Sequence, residues 1–257
     1  MNRKMTLRLA AVGVVAALGV LAGCGSDGAA DSSDSPQRKQ TSAPAAEEAP
    51  EHVLSQQELD QAALVPADLT NYSVETIAGK GKPVGRLDVD HRTLITAEGC
   101  QPLYDMTKSV TAYPATTGRV VQAAEDTSTE DGQQTIVTLA SYTKTTAAQG
   151  IADLRKSLGA CTAFVGTVTG DTYTYKNVTA LPDPRLGDEA VSYRMDQSIP
   201  GMSDGDSALM PPTQEIYVVV RVGATLVSFS SFSIPAPGAQ PAQIPPQVLT
   251  AQLKKLT

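Results

Sequence analysis

Tryptophan is absent from the 257 residues, and the sequence has three phenylalanines, three cysteines and two histidines. Without tryptophan, a core must be built from aliphatic side chains and from the eight tyrosines. Two histidines leave few side chains that can act as a general base near neutral pH. No Walker loop and no His-Glu-x-x-His motif occurs, which argues against a P-loop ATPase and a zinc peptidase. We therefore expect a protein that is not an enzyme and that needs no metal or other cofactor.

Both histidines lie in polar segments. His52 adjoins a stretch rich in small and acidic residues, which indicates a solvated side chain. His91 lies in Asp88-Val89-Asp90-His91-Arg92, where the neighbouring carboxylates favour the charged imidazolium and make it a poor base. An exposed polar loop is the preferred interpretation of this segment. A hydrolase that uses His91 with a nearby acid is the alternative.

The beginning of the chain has the order of a secretory signal peptide. Arg3, Lys4 and Arg8 precede an apolar run that ends in Leu21-Ala22-Gly23-Cys24. This run is too short to cross about 30 Å of hydrocarbon, which needs about 20 apolar residues. A cysteine directly after Leu-Ala-Gly resembles the lipobox of bacterial lipoproteins. The resemblance implies that Cys24 carries a diacylglyceryl group and further acyl chains such as palmitate, and that the chain is cut before it. The alternative is an ordinary secretory signal in which Cys24 is incidental.

Three segments follow from this interpretation. Residues 1–23 are a predicted lipoprotein signal peptide, and their removal leaves 17 basic and 27 acidic residues, a formal net charge of −10. Such a surface repels phosphates, which argues against nucleic-acid binding. Residues 24–52 comprise the lipidated cysteine and a predicted disordered tether, because they lack large apolar residues that could offset the entropy of ordering. Residues 53–257 are the predicted extracytoplasmic domain, which is long enough for one substantial core.

Helices alternate with hairpins in this domain. The capping-box spacing of Ser55 and Glu58 predicts a helix that ends before Pro66. Turn residues between apolar segments predict three antiparallel hairpins. Their strands are 119–127 with 134–142, 163–169 with 173–180, and 216–222 with 225–232. Further strands are predicted at 72–77 and 190–195. Helices mixed with antiparallel hairpins predict an α+β fold in a single domain.

Three further helices are predicted from apolar spacing and from proline. Pro102 lies near the first turn of a helix that is predicted from Cys100 to Val110. A second helix, capped by Thr145 or Thr146, buries one apolar stripe. The stripe comprises Ala147, Ile151, Leu154, Leu158 and Cys161. A last helix, with Val248, Leu249 and Leu253 on it, is predicted to close the domain.

Cys100 and Cys161 remain after lipidation of Cys24, and an even pair in an exported protein is expected to be oxidised. A disulfide would join the Cys100 helix to the striped helix across the core. In the chain-entropy model, a closed loop of about 60 residues contributes about 4 kcal/mol of stability. A redox-active pair or a metal site is the alternative. The spacing is not Cys-x-x-Cys, and two thiols with two distant histidines make a poor zinc site.

The order of these segments resembles that of a known family. Cys100-Gln101-Pro102 leads through strands to the striped helix, and Arg221-Val222-Gly223-Ala224-Thr225-Leu226-Val227 follows later. In this order the chain resembles the extracellular sensor domain of actinobacterial PknH-type serine/threonine kinases, which also occurs as the folded part of stand-alone lipoproteins. The resemblance covers residues 53–257. It implies a twisted antiparallel sheet flanked by a few helices, with a cleft for an unidentified ligand. The family has a second disulfide, for which this chain has no further cysteines.

Two other groups of residues are candidates for a binding site. Asp204-Gly205-Asp206 offers alternating oxygens but lacks the distal glutamate of an EF-hand loop, so no calcium site is predicted. Tyr173, Tyr175, Tyr193 and Tyr217 lie on predicted strands, and they are candidates for the lining of a cleft. Filling of the core is the alternative role of these tyrosines.

These observations predict a lipoprotein that is held on the outer face of the cell membrane by the lipid on Cys24. We expect its folded part to be a ligand-binding or sensor-like module. Its expected partner is an unidentified small ligand or a cell-envelope protein. The alternatives are a protein-docking module without a pocket and a lipoprotein that carries a lipid in an apolar cavity.

Overall fold

Nine strands pair into one antiparallel sheet within the described part of the computed structural model. The structure describes residues 52–80, 92–94, 98–108, 113, 115, 117–128, 133–168, 171–198, 212–233 and 240–257. All of them belong to one compact unit, Glu47–Thr257. The predicted signal peptide, Cys24, the tether up to residue 51, His91 and residues 204–206 lie outside the described residues.

The sheet order is β1-β3-β4-β9-β8-β7-β6-β5-β2, and every neighbouring pair is antiparallel. The strands are β1 Tyr72–Ala78, β2 Arg92–Leu94, β3 Arg119–Asp126, β4 Gln134–Ser141, β5 Phe164–Val168, β6 Asp171–Ala180, β7 Glu189–Gln197, β8 Thr213–Val222 and β9 Thr225–Ser233. All three predicted hairpins are present, as β3 with β4, β5 with β6, and β8 with β9. The mixture of this sheet with helices confirms the predicted α+β fold.

Among the described residues, four α-helices flank the sheet: α1 Gln56–Ala62, α2 Gln101–Met106, α3 Lys144–Ala160 and α4 Pro246–Lys254. Ser55 caps α1 through the predicted capping box: the Glu58 amide donates to Ser55 Oγ at 3.3 Å, and the Ser55 amide donates to Glu58 Oε2 at 2.7 Å. Short 3-10 turns follow α1 at Pro66–Asp68 and precede α2 at Glu98–Cys100.

Two predicted helix boundaries were wrong. The cap of α3 is Thr143, whose hydroxyl accepts from the Thr146 amide at 3.1 Å, so Thr145 and Thr146 lie inside the helix. Thr143 has the extended backbone that a capping residue needs, with φ −77° and ψ 156°. The helix predicted to reach Val110 ends at Met106, because residues 107 and 108 form a turn.

Helices cover the sheet on both sides. Alternation along β8 sends Tyr217 and Val219 to one side and Val218 and Val220 to the other. We call the side under α2 and α3 the disulfide face. Its buried core includes Leu103, Tyr104, Ile151, Leu154, Phe164, Tyr175, Tyr193, Met195, Tyr217, Val219 and Leu226. We call the side under α1 and α4 the terminal face. Its buried core includes Leu59, Leu64, Val120, Val137, Leu139, Val218, Val220, Val227, Phe229 and Val248.

Candidate functional site

The Cys100–Cys161 disulfide joins α2 to α3, and both helices lie over the disulfide face. Cys100 and Cys161 are bonded, with their Cα atoms 5.4 Å apart, so the start of α2 is joined to the end of α3. Ser157 adds a second link, since its hydroxyl donates to the Gly99 carbonyl at 2.6 Å. The predicted disulfide and the helices that it connects are confirmed. Tyr104 on α2, and Thr107 and Lys108 just after it, are thereby held against the sheet.

Strand register places the aromatic side chains in pairs. Tyr193 on β7 lies directly opposite Tyr217 on β8, and their rings stack at 4.9 Å between centroids with 7° between planes. Phe164 and Tyr175 face each other across β5 and β6 in the same way, at 4.5 Å. Tyr104 meets Phe164 edge-on at 6.1 Å. Such pairs stabilise a sheet beyond their buried area.

A glycine on β5 makes room for Tyr104. A Cβ atom at Gly166 would lie 2.2 Å from Tyr104 Cε2, so a larger residue there would displace the ring. The Tyr104 hydroxyl donates to the Thr167 carbonyl on the same strand. The Tyr104 ring and its hydroxyl together bind α2 to β5, which places Lys108 near the rings of Tyr104 and Tyr173. Lys108 Nζ lies 5.9 Å from the Tyr104 ring centroid and 5.5 Å from that of Tyr173.

Polar groups lie among these rings. The Tyr217 hydroxyl donates to Glu215 Oε2 at 2.6 Å, and Gln197 Nε2 donates to the Tyr175 hydroxyl at 2.9 Å. The hydroxyl of Tyr193, a fully buried residue, has no hydrogen-bond partner among the residues that the structure describes. We call Tyr175, Tyr193, Gln197, Glu215 and Tyr217 the tyrosine–glutamate cluster. Buried polar atoms without a partner are uncommon in folded proteins, so the Tyr193 hydroxyl requires an explanation.

Burial controls the protonation of the cluster. It raises the pKa of Glu215, against the lowering effects of the Tyr217 hydrogen bond and of the Lys108 charge. It raises the pKa of Tyr175 to about 12, with a further contribution from the Glu215 charge. Burial and the same carboxylate raise the pKa of Tyr193 and of Tyr217 well above the usual value. The three phenols therefore keep their protons at neutral pH and act as hydrogen-bond donors and acceptors, not as bases.

All four tyrosines that the sequence suggested for a cleft contribute to this face. Tyr175, Tyr193 and Tyr217 are in its core, and Tyr173 packs against that core while partly exposed. Sequence reasoning missed Glu215, although it lies two residues before Tyr217 and therefore on the same side of β8. It also missed Gln197 and Lys108, because their positions depend on the pairing of β6 with β7 and on the placement of α2.

The hairpin segment that carried the family resemblance has a structural role in this chain. Arg221 is 9% exposed, and it binds Asp188 Oδ2 and Glu189 Oε1, each at 3.0 Å. Asp188 Oδ2 also accepts from the Gly223 amide at 2.7 Å. Arg155 of α3 reaches the second oxygen of Glu189 at 2.8 Å. These ion pairs connect the β8–β9 turn and the segment before β7 to α3, so they hold that helix over the disulfide face.

Other sequence candidates lie beyond the described ranges. Cys24, His91 and residues 204–206 are among them. The segment Gly201-Met202-Ser203-Asp204-Gly205, which has Gly-x-Ser-x-Gly spacing, also lies there. That spacing indicates a nucleophile only in a strand–turn–helix context. Within the ranges that are described, no three His, Cys, Asp or Glu side chains converge as a metal site would require. No helix in those ranges has the length and apolar composition to span a bilayer.

No family model and no curated protein matches the chain. Among solved structures, the chain is similar to the extracellular domain of PknH from Mycobacterium tuberculosis, with a TM-score of 0.49 and 12% identity over 80% of this chain and 98% of that chain. It is also similar to an uncharacterized protein from Mycobacterium smegmatis, an Rv0999 ortholog, with a TM-score of 0.37 and 12% identity over 77% of this chain and 93% of that chain. The PknH extracellular domain, from the family that the sequence resembles, is thus among the structures to which the chain is similar, at low sequence identity.

Proposed function

We propose that this chain is a lipid-anchored lipoprotein whose folded part binds a small ligand outside the cell membrane. Leu21-Ala22-Gly23-Cys24 after a basic and apolar start supports the anchor. The Cys100–Cys161 disulfide supports an oxidising location, because such bonds persist mainly in exported proteins. Two or more acyl chains on Cys24 would hold the protein stably, whereas one chain binds a membrane only marginally.

The observation that carries the binding function is the tyrosine–glutamate cluster. It combines stacked aromatic rings with a carboxyl group, an amide and a buried hydroxyl that is unpartnered within the described structure. Mostly apolar walls with a few convergent polar groups are typical of small-molecule sites. The phenols retain their protons, so the cluster supports recognition of a ligand and not acid–base catalysis.

Protein docking is the competing function, and one observation favours it. Phe232 lies opposite Glu215 across β8 and β9 and is 44% exposed, so an apolar ring is presented beside the cluster. A docking surface of this kind would need no small ligand. A lysine substitution at Phe232 should then abolish the partner complex while it leaves small-molecule binding intact.

Metabolic labelling with an alkyne analogue of palmitate tests the anchor. The full-length chain should be labelled and recovered with membranes, and the Cys24→Ser variant should be unlabelled. Equal labelling of both would contradict the proposal.

The binding function is tested with the mature chain carrying Cys24→Ser, by thermal shift against a small-molecule library that covers sugars, amines and organic acids. A library without any stabilising compound would argue for docking instead.

A further inference from the structure

We draw no further inference here: the strongest candidate, the exposed Phe232 ring on β9 beside the tyrosine–glutamate cluster, is one apolar side chain at the surface, and nothing in the described part of the structure shows what covers it.

Discussion

The two faces of the sheet bury different chemistry. The terminal face has a mostly aliphatic core, and two buried side-chain amides fix the chain around the end of α1. Gln122 accepts from the Leu64 amide at 2.8 Å and donates to the Leu64 carbonyl at 2.9 Å, and Gln252 donates to the Ala62 carbonyl at 2.8 Å. The disulfide face stacks tyrosines around a carboxyl group. These two amides thus bind the protein's own backbone, whereas the polar groups of the tyrosine–glutamate cluster bind one another, and the Tyr193 hydroxyl has no partner among the described residues.

Buried atoms without a partner occur on both faces, so their surroundings matter more than their number. On the terminal face they include Gln252 Oε1 and the hydroxyls of Thr135 and Ser141. These hydroxyls, like that of Thr138 on the disulfide face, are on short side chains close to a strand backbone. The Tyr193 hydroxyl is at the tip of a long side chain, and the charge of Glu215 acts on it. If the proposed binding function is correct, recognition belongs to the disulfide face and not to the terminal face, and this difference can be tested.

The largest expected effect comes from opening the disulfide. Cys100→Ser should lower the free energy of unfolding by about 4 kcal/mol, because the unfolded chain gains the entropy of an open loop. The melting temperature should fall by roughly 10 °C, and binding should weaken as α2 is released from α3. Thermal unfolding by circular dichroism measures the first effect. The unsubstituted protein after reduction is the control and should match the variant.

Removal of a buried side-chain amide on the terminal face should have the next largest effect on the free energy of unfolding. Gln122→Ala removes both hydrogen bonds to Leu64 and leaves that buried backbone unpaired, which should cost about 2–3 kcal/mol. Ligand affinity should not change, since the residue lies across the sheet from the cluster. Chemical denaturation gives the stability loss and calorimetry gives the affinity. If Gln122→Ala weakened ligand binding, the division between faces would be wrong.

The two helix caps form a matched pair with smaller effects. Ser55→Ala on the terminal face and Thr143→Ala on the disulfide face each remove one hydroxyl that accepts from a first-turn amide. Each should cost about 1 kcal/mol, or roughly 2–4 °C in melting temperature. If the faces unfold as one cooperative unit, both losses appear in a single transition. Two separate transitions would show that the faces unfold independently.

Local sequence patterns predicted the elements, while strand register determined the site. Ser55 with Glu58, and the apolar stripe of α3, are signals within a few residues, and they predicted helices that the structure confirms. The cap at Thr143 was missed because three threonines in a row offer equivalent hydroxyls, and only backbone geometry selects among them. The stacking of Tyr193 on Tyr217 arises from residues 24 positions apart that become opposite once β7 pairs with β8. No periodicity within one segment encodes that contact.

The smallest predicted effect concerns the change of stability with pH, which should have opposite signs for a carboxyl group on each face. Burial raises the pKa of Glu215 above its value in the unfolded chain, so the folded state holds the proton more tightly. The unfolded state binds fewer protons between these two values, and stability falls as the pH rises through them. Glu215→Gln removes this loss. The variant should melt at a higher temperature than the parent at pH 7, and the difference should disappear near pH 4.

Asp68 on the terminal side is the opposite case. Burial acts to raise its pKa, but hydrogen bonds from Lys255 at 2.9 Å and from the Val65 amide at 2.8 Å prevail and lower it. The unfolded state then binds more protons as the pH falls, so this stabilisation is present at pH 7 and is lost in acid. Asp68→Asn should therefore lower the melting temperature at pH 7 and have no effect near pH 2. Melting curves of both variants and the parent across this range test the pair. Shifts of the same sign would mean that Glu215 is charged and stabilising, as in an ion pair with Lys108, and that its carboxylate is already satisfied by the protein.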